Sequence, residues 1–246
     1  MDLFGDVLSW FNDRANWRGS SGVLARLLEH VQVSLAAIVV AMAVALPVAI
    51  WLGHKRRFGN LAVNISNVGR ALPSFAILAV GSQLLGTREV PVIMTTTTFL
   101  ALIALAIPPL VTNAYVGMAE VPAEVRDAAR GMGQSDRQVL FGVELPLAVP
   151  LIMAGVRTSA VQVVATATIA AVVGGGGLGR YIIDGFAVQD NVQVAAGAML
   201  VAVLSLATEL TLSGVQRLVT PAGLRARRRT PKIADVSPVD PAVQVA

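Results

Sequence analysis

The chain has 246 residues, 55% of them hydrophobic and only 14% charged, with a mean hydropathy of +0.69. Soluble domains carry about 25% charged residues, so this composition describes a protein of the bilayer. With no cysteine, disulfides and thiolate metal sites are excluded, and two isolated histidines, His30 and His54, make no metal site.

In chain order, residues 1–30 read as a polar N-terminal segment. Trp10, Phe11 and Trp17 among polar neighbours suit a short interfacial helix. Asp2 and Asp6, with no basic start before an apolar core, speak against a cleavable signal peptide. A crossing of the hydrocarbon needs about 20 uncharged residues. Val31–Gly53 is the first such run. A second span is placed at about residues 61–85, with Arg70 inside it or snorkelling at its edge. Val90–Ala119 is the third. Thr158–Gly179 is the fourth, begun near Leu147, and Asn191–Thr208 is the fifth. The expected fold is therefore all-α, a polytopic bundle of five transmembrane helices, or six. Residues 31–216 form its membrane part, and 217–246 a basic, disordered tail. No internal repeat is evident.

Lys and Arg accumulate on the cytoplasmic side. With the N-terminus outside, the inner segments hold twelve: Lys55, Arg56, Arg57, Arg126, Arg130, Arg137, Arg217, Arg225, Arg227, Arg228, Arg229 and Lys232. The outer segments hold five: Arg14, Arg18, Arg26, Arg88 and Arg180. The count predicts N-out, C-in, and puts the polar stretch 117–146 in the cytoplasm. It also assigns the basic excess to membrane anchoring on anionic lipid rather than to nucleic acid.

That stretch predicts two short helices. Pro122 suits a first helical turn and Glu124 places negative charge near its start. Ala128 and Ala129 let another surface approach, and Gly131 and Gly133 stop the helix. Ser135 with Gln138 forms an S-x-x-Q capping box for the second helix, and Pro146 marks the junction into the next span.

The stretch reads Asp127-Ala128-Ala129, three residues, Gly133, nine residues, then Val143-Glu144-Leu145-Pro146. It resembles the EAA loop of bacterial ABC importer permeases: Glu-Ala-Ala, three residues, Gly, nine residues, Ile-x-Leu-Pro. Asp127 stands for Glu and Val143 for Ile. The resemblance extends over roughly residues 25–215 and looks closest to the glycine betaine/carnitine/choline, or osmoprotectant, branch. In that branch a second-span segment reads Asn-x-x-Gln-Thr-Ile-Pro-Ser. Here it stands as Asn67-Val68-Gly69-Arg70-Ala71-Leu72-Pro73-Ser74, with Arg70 in place of Gln. Pro109, Asn113-Ala114-Tyr115, Gly155-Val156-Arg157-Thr158 and Gly175-Gly176-Gly177-Leu178-Gly179 are similar too.

The resemblance implies a type I ABC importer permease fold. The loop is then a coupling element that docks on an ATPase subunit, through Glu124, Arg126, Asp127, Ala128, Ala129, Arg130, Gly133, Leu145 and Pro146. Arg126 and Arg130 are expected to meet acidic groups of that partner. It implies no catalytic site or cofactor in this chain, ATP and Mg being on the partner ATPase. A second permease copy or paralogue, an extracytoplasmic substrate-binding protein and a bacterial cytoplasmic membrane complete the setting. At 5% aromatic content, a cage for a quaternary ammonium is expected on the binding protein.

Pro73 is expected to kink the second span and free a carbonyl. Asn67, Arg70 and Ser74 share a helix face. With Asn113, Tyr115 and Arg157 they form a candidate translocation path. The alternative for that face is helix–helix packing. Arg157 faces inward in this reading, with Glu209 as candidate partner. The run Gly174–Gly179 formally contains G-x-G-x-x-G but ends a membrane span, so a dinucleotide site is disfavoured. Gly175, Gly176, Gly177 and Gly179 read as a hinge or gate, or as close backbone packing. No G-x-x-x-x-G-K-[ST] occurs. The rival functions are an amino-acid (methionine-like) importer permease and a stand-alone carrier or channel. The last would call for inverted repeats and buried acids in the spans.

Overall fold

The described part of the fold is built around four helices long enough to cross a membrane. In the computed structural model, residues 3–56, 64, 74–85, 89–90, 94–173, 175–221 and 223–224 are described. Helix α1 (Leu3–Asn12) and a 3-10 turn (Arg14–Trp17) precede α2 (Val23–Lys55). Helix α3 (Ser74–Leu85) is followed by two short strands, β1 (Glu89–Val90) and β2 (Met94–Thr95), paired antiparallel with Glu89 opposite Thr95. Then come α4 (Thr96–Ala119), α5 (Ala123–Gly131) and α6 (Asp136–Ala167), α6 containing a π turn at Leu140–Glu144. A 3-10 turn (Ile169–Val173) leads to α7 (Gly179–Val188) and α8 (Asn191–Val219).

Among the described residues four helices, α2, α4, α6 and α8, are long and apolar enough to cross a membrane. Of the second expected span, at 61–85, the described part is residue 64 and the helix Ser74–Leu85. The others differ at their ends from the charge-free runs. Helix α2 begins at Val23, eight positions before Val31, because Arg26 and Glu29 pair with each other (2.9 Å) inside its first turns. Helix α4 starts at Thr96 rather than Val90, the first residues of that run being used in the β pair. Helix α6 ends at Ala167, so Thr158–Gly179 is not one span. It begins instead at Asp136 and carries Arg157 within it. Helix α8 runs to Val219, past the 216/217 boundary.

The core is a three-helix contact of α2, α4 and α6. Val33, Ala37, Ile38, Ala41 and Ala45 of α2 meet Leu102, Ala106 and Leu110 of α4 and Val156, Ala160, Val163 and Ala167 of α6. A second cluster nearer the hairpin joins Ala49, Ala114, Met118, Ala148 and Ile152. Lipid tails offer no hydrophobic drive, so helices in a membrane gain by close approach of small residues, and this core is correspondingly rich in Ala. Gly155 goes further. A Cβ there would lie 2.7 Å from Asn113 Cβ and 3.0 Å from Pro109 O, so α4 and α6 touch backbone to backbone. The remaining apolar surface points outward, as on α8, whose exposed Val203, Leu206 and Leu210 suit lipid or another subunit.

Candidate functional site

The hairpin between α4 and α6 is built by turn chemistry. Pro122 sits at the N-cap in extended geometry (ψ 139°), one position before the helix rather than in its first turn. Its fixed φ sets the exit from α4, and Ala123 opens α5. Met132 closes α5, and Gly133, at φ +84°, makes the left-handed reversal that glycine adopts without strain. Gln138 Oε1 then accepts the Ser135 N–H at 2.7 Å, as a capping box requires. The second short helix is not separate. It continues through the π turn into the span, with Pro146 in the first turn after the bulge.

Helix α5 has two unlike faces. Arg126 and Ala129 are buried. Glu124, Val125, Asp127, Ala128 and Arg130 are exposed, and so is Met132 beyond the end. Val125, Ala128 and Met132 are three, four and seven apart, which puts them on one stripe. The exposed Phe141 of α6 belongs to the same hairpin.

The expectation that Arg126 meets a partner's acid is corrected by its burial. Its Nη1 lies 3.3 Å from Glu144 Oε1, and Glu144 is completely buried. The other carboxylate oxygen, Oε2, is hydrogen-bonded to His54 Nδ1 from the end of α2. Arg126 Nε is buried with no partner among the described residues. Ala129 likewise packs into this chain and is not a free contact, unlike Ala128. Arg130 stays exposed and holds Asp136 (3.1 Å), with Asp127 at 4.0 Å.

Three residues distant in sequence thus form one buried cluster, His54–Glu144–Arg126. A carboxylate out of water is costly unless it is paired and hydrogen-bonded, and here it has two partners from two other elements. The π turn is what aims it: one extra residue in that turn shifts the register of α6, and such bulges gather at functional sites. The grip of α2 continues over the next two residues. Lys55 Nζ is 3.9 Å from Asp136, and Arg56 donates to Val121 O at 2.5 Å. The hairpin is therefore keyed to the end of α2, not merely tethered by its own two ends. Neither Glu144 nor His54 carries a local motif for this role; the sequence signal is a carboxylate directly before Leu145-Pro146 at the mouth of an apolar span.

At the opposite end of α2 the Gly run packs closely. Gly177 (φ +82°) donates its N–H to Glu29 Oε2 at 2.8 Å, and Leu178 N–H donates to His30 Nδ1 at 3.2 Å. His30 Nε2 reaches Val164 O at 2.9 Å, so the ring donates there and accepts from Leu178. A Cβ at Gly176 would lie 2.5 Å from Glu29 Oε2, and one at Gly177 3.0 Å from His30 Nδ1. Gly175 and Gly179 are buried in the same contact, a Cβ at Gly179 striking the Thr168 carbonyl. This is close packing of backbone on side chain. Nearby, Tyr181 donates to Ser21 O (2.7 Å) and packs edge-on against Trp10. Burial pushes the Tyr181 phenol above its ordinary pKa, and Arg26 opposes that shift.

Of the candidate path residues, Asn67, Arg70 and Pro73 lie outside the described residues, and Ser74 opens α3. Asn113 donates to Pro109 O four residues back (2.8 Å), and Tyr115 is half-buried. Arg157 does find Glu209: Nε to Oε1 is 3.0 Å, and Nη1 also reaches Gln216 Oε1 at 2.9 Å.

Among the described residues, four helices apolar and long enough to cross a membrane, three of them packed in an Ala-rich core, with a keyed polar hairpin at one end, describe an integral membrane protein. The chain belongs to the family of binding-protein-dependent transport system inner membrane components, which matches residues 35–222. It is 34% identical over 203 residues to the choline transport system permease protein OpuBB of Bacillus subtilis (strain 168), covering 82% of this chain and 91% of that one. It is 34% identical over 200 residues to the glycine betaine/carnitine/choline transport system permease protein OpuCB of the same organism, covering 81% and 89%. Against the glycine betaine/proline betaine transport system permease protein ProW of Escherichia coli (strain K12), identity is 29%, covering 81% and 54%. A solved chain of the MetNI methionine ABC transporter, in an inward-facing conformation, superposes with a TM-score of 0.68 at 21% identity, covering 81% of this chain and 97% of that one. That likeness shows the fold, a type I ABC importer permease fold. Family membership makes the chain a multi-pass inner-membrane permease, and it implies ATPase and substrate-binding partners.

Proposed function

We propose that this chain imports a small quaternary-ammonium osmolyte of the betaine, choline or carnitine kind, as one of two permease subunits above two ATPase subunits. An extracytoplasmic binding protein delivers the cargo. The N-terminus lies outside and the C-terminus in the cytoplasm, as the distribution of Lys and Arg favours. The relatives named for choline, carnitine and glycine betaine transport support the cargo class.

The observation that carries the mechanism is the two-faced hairpin. Its outer stripe, Val125, Ala128 and Met132 with Asp127 beside it, is free to dock on an ATPase. Its inner face is fixed to α2 and α6 through Glu144. When ATP draws the ATPases together, the hairpins follow. The buried cluster then passes the displacement to α2 and α6 as a rigid unit, because packed elements move as bodies rather than bend. Alternating access results: the path opens outward with ATP bound and resets on hydrolysis.

The test is uptake by proteoliposomes holding the full complex, with binding protein outside and ATP within. ATP-dependent accumulation of glycine betaine or choline that requires the binding protein is expected. Accumulation of methionine alone would overturn the cargo class. Uptake by this chain without an ATPase would overturn the importer reading.

A further inference from the structure

The Arg157–Glu209 ion pair lies at a depth where charge is expensive. Arg157 stands 12 residues beyond Leu145 in α6, about 18 Å up the helix, and Glu209 stands 10 residues before the end of α8, about 15 Å. Both fall inside a hydrocarbon layer about 30 Å thick. Yet the pair is not enclosed: the side chains are 32% and 40% exposed. Neighbouring α8 positions present Leu206 and Leu210 to the outside. Open charges at that depth belong on a water-filled or protein-lined space, not on lipid.

The pair is also held ready. Gln216 accepts from Arg157 Nη1 and donates its own Nε2 to Pro150 O at 2.9 Å, tying the network across both helices. Arg157 offers further N–H groups in a planar fork that suits a carboxylate, and Glu209 offers an anionic oxygen for a cation.

We propose that Arg157 and Glu209 form a cargo site on the translocation path, one that takes a small zwitterion by opening their ion pair. The cargo carboxylate replaces Glu209 on Arg157, and the cargo ammonium replaces Arg157 on Glu209. Without cargo the two close on each other, so the path never presents a bare charge. A purely cationic cargo uses Glu209 alone. The proposal rests on the importer reading and adds the site where cargo charge is read.

The test rests on a difference between tie and site. A structural ion pair is replaced by two apolar side chains of similar volume with little loss, whereas a cargo site is not. In proteoliposomes of the complete complex, the double variant Arg157→Met with Glu209→Met is compared with the native chain. The expected result is an assembled complex whose ATPase is still stimulated by loaded binding protein, with glycine betaine uptake reduced at least ten-fold. Uptake within two-fold of native would overturn the site. Should the double variant not assemble, Glu209→Gln is read instead. Its KM for choline is expected to rise about ten-fold more than its KM for glycine betaine, and equal changes would overturn the proposal. A native complex that moves neither osmolyte overturns the importer's cargo class first, and this inference with it.

Discussion

The two ends of α2 are held by different chemistry. At its start, Glu29 and His30 bind backbone N–H groups of Gly177 and Leu178, so the contact depends on the absence of a side chain. At its finish, His54 binds the buried carboxylate of Glu144, which Arg126 shares, so the contact depends on three side chains being present together. The first arrangement sets a shape. The second joins a surface element, α5, to a span and can carry force. It follows that the first end fails when atoms are added and the second when one partner is taken away.

The largest break is expected at Glu144. Glu144→Leu leaves Arg126 and His54 buried without their anion, at a cost of about 3–5 kcal/mol. Thermal unfolding of the detergent-solubilised complex reads this as a large fall in Tm. Replacing all three, with His54→Phe and Arg126→Met added, should recover most of the stability but not the coupling. ATP hydrolysis would then proceed with little transport. A triple variant that transports normally would show that the cluster only stabilises.

At the other end, Gly177→Ala puts a Cβ at φ +82° and 3.0 Å from His30 Nδ1. A left-handed conformation costs a non-glycine residue roughly 1–2 kcal/mol, so a Tm loss smaller than that of Glu144→Leu is expected. Gly131→Ala, in a position with open space around it, should leave Tm unchanged or slightly raised.

A smaller effect sharpens the view of the same end. Asp190 caps α8 by accepting from Val192 and Gln193 N–H, both at 3.0 Å. Asp190→Ala should cost about 1 kcal/mol. The smallest effect concerns Tyr181, whose phenol is raised above 10.0 chiefly by burial. Its contribution is complete below pH 10 and is lost as pH rises through the folded-state value. Tyr181→Phe should therefore flatten the alkaline end of a Tm-against-pH curve while losing the bond to Ser21 O.

Much of the hairpin was legible in the sequence, because turn chemistry is local. Gly133 and the Ser135–Gln138 box are read from neighbours three residues apart and stand where expected. The Arg157–Glu209 pair was legible for another reason: few charges lie within spans, so each has few partners. Span limits were less legible, since charge-free runs measure hydrophobicity rather than helix. Helix α6 tolerates Glu144 and Arg157 because both are paired, and its C-terminal end is set by packing near Gly179. The Glu144 cluster was not legible. His54 and Glu144 are 90 positions apart, and nothing in either neighbourhood names the other. Arg126 reads as a solvent-facing residue until the π turn turns a carboxylate toward it.

The central claim is that α5 docks by its outer stripe while its inner face is keyed to α2. Since the chain has no cysteine, single cysteines can be placed at will. The direct measurement is crosslinking of Ala128→Cys and Ala129→Cys, adjacent residues of which the first is exposed and the second buried, to the partner ATPase in the assembled complex. The account predicts a crosslink from position 128, strengthened by ATP, and none from position 129. Equal crosslinking from both, or from neither, would contradict it.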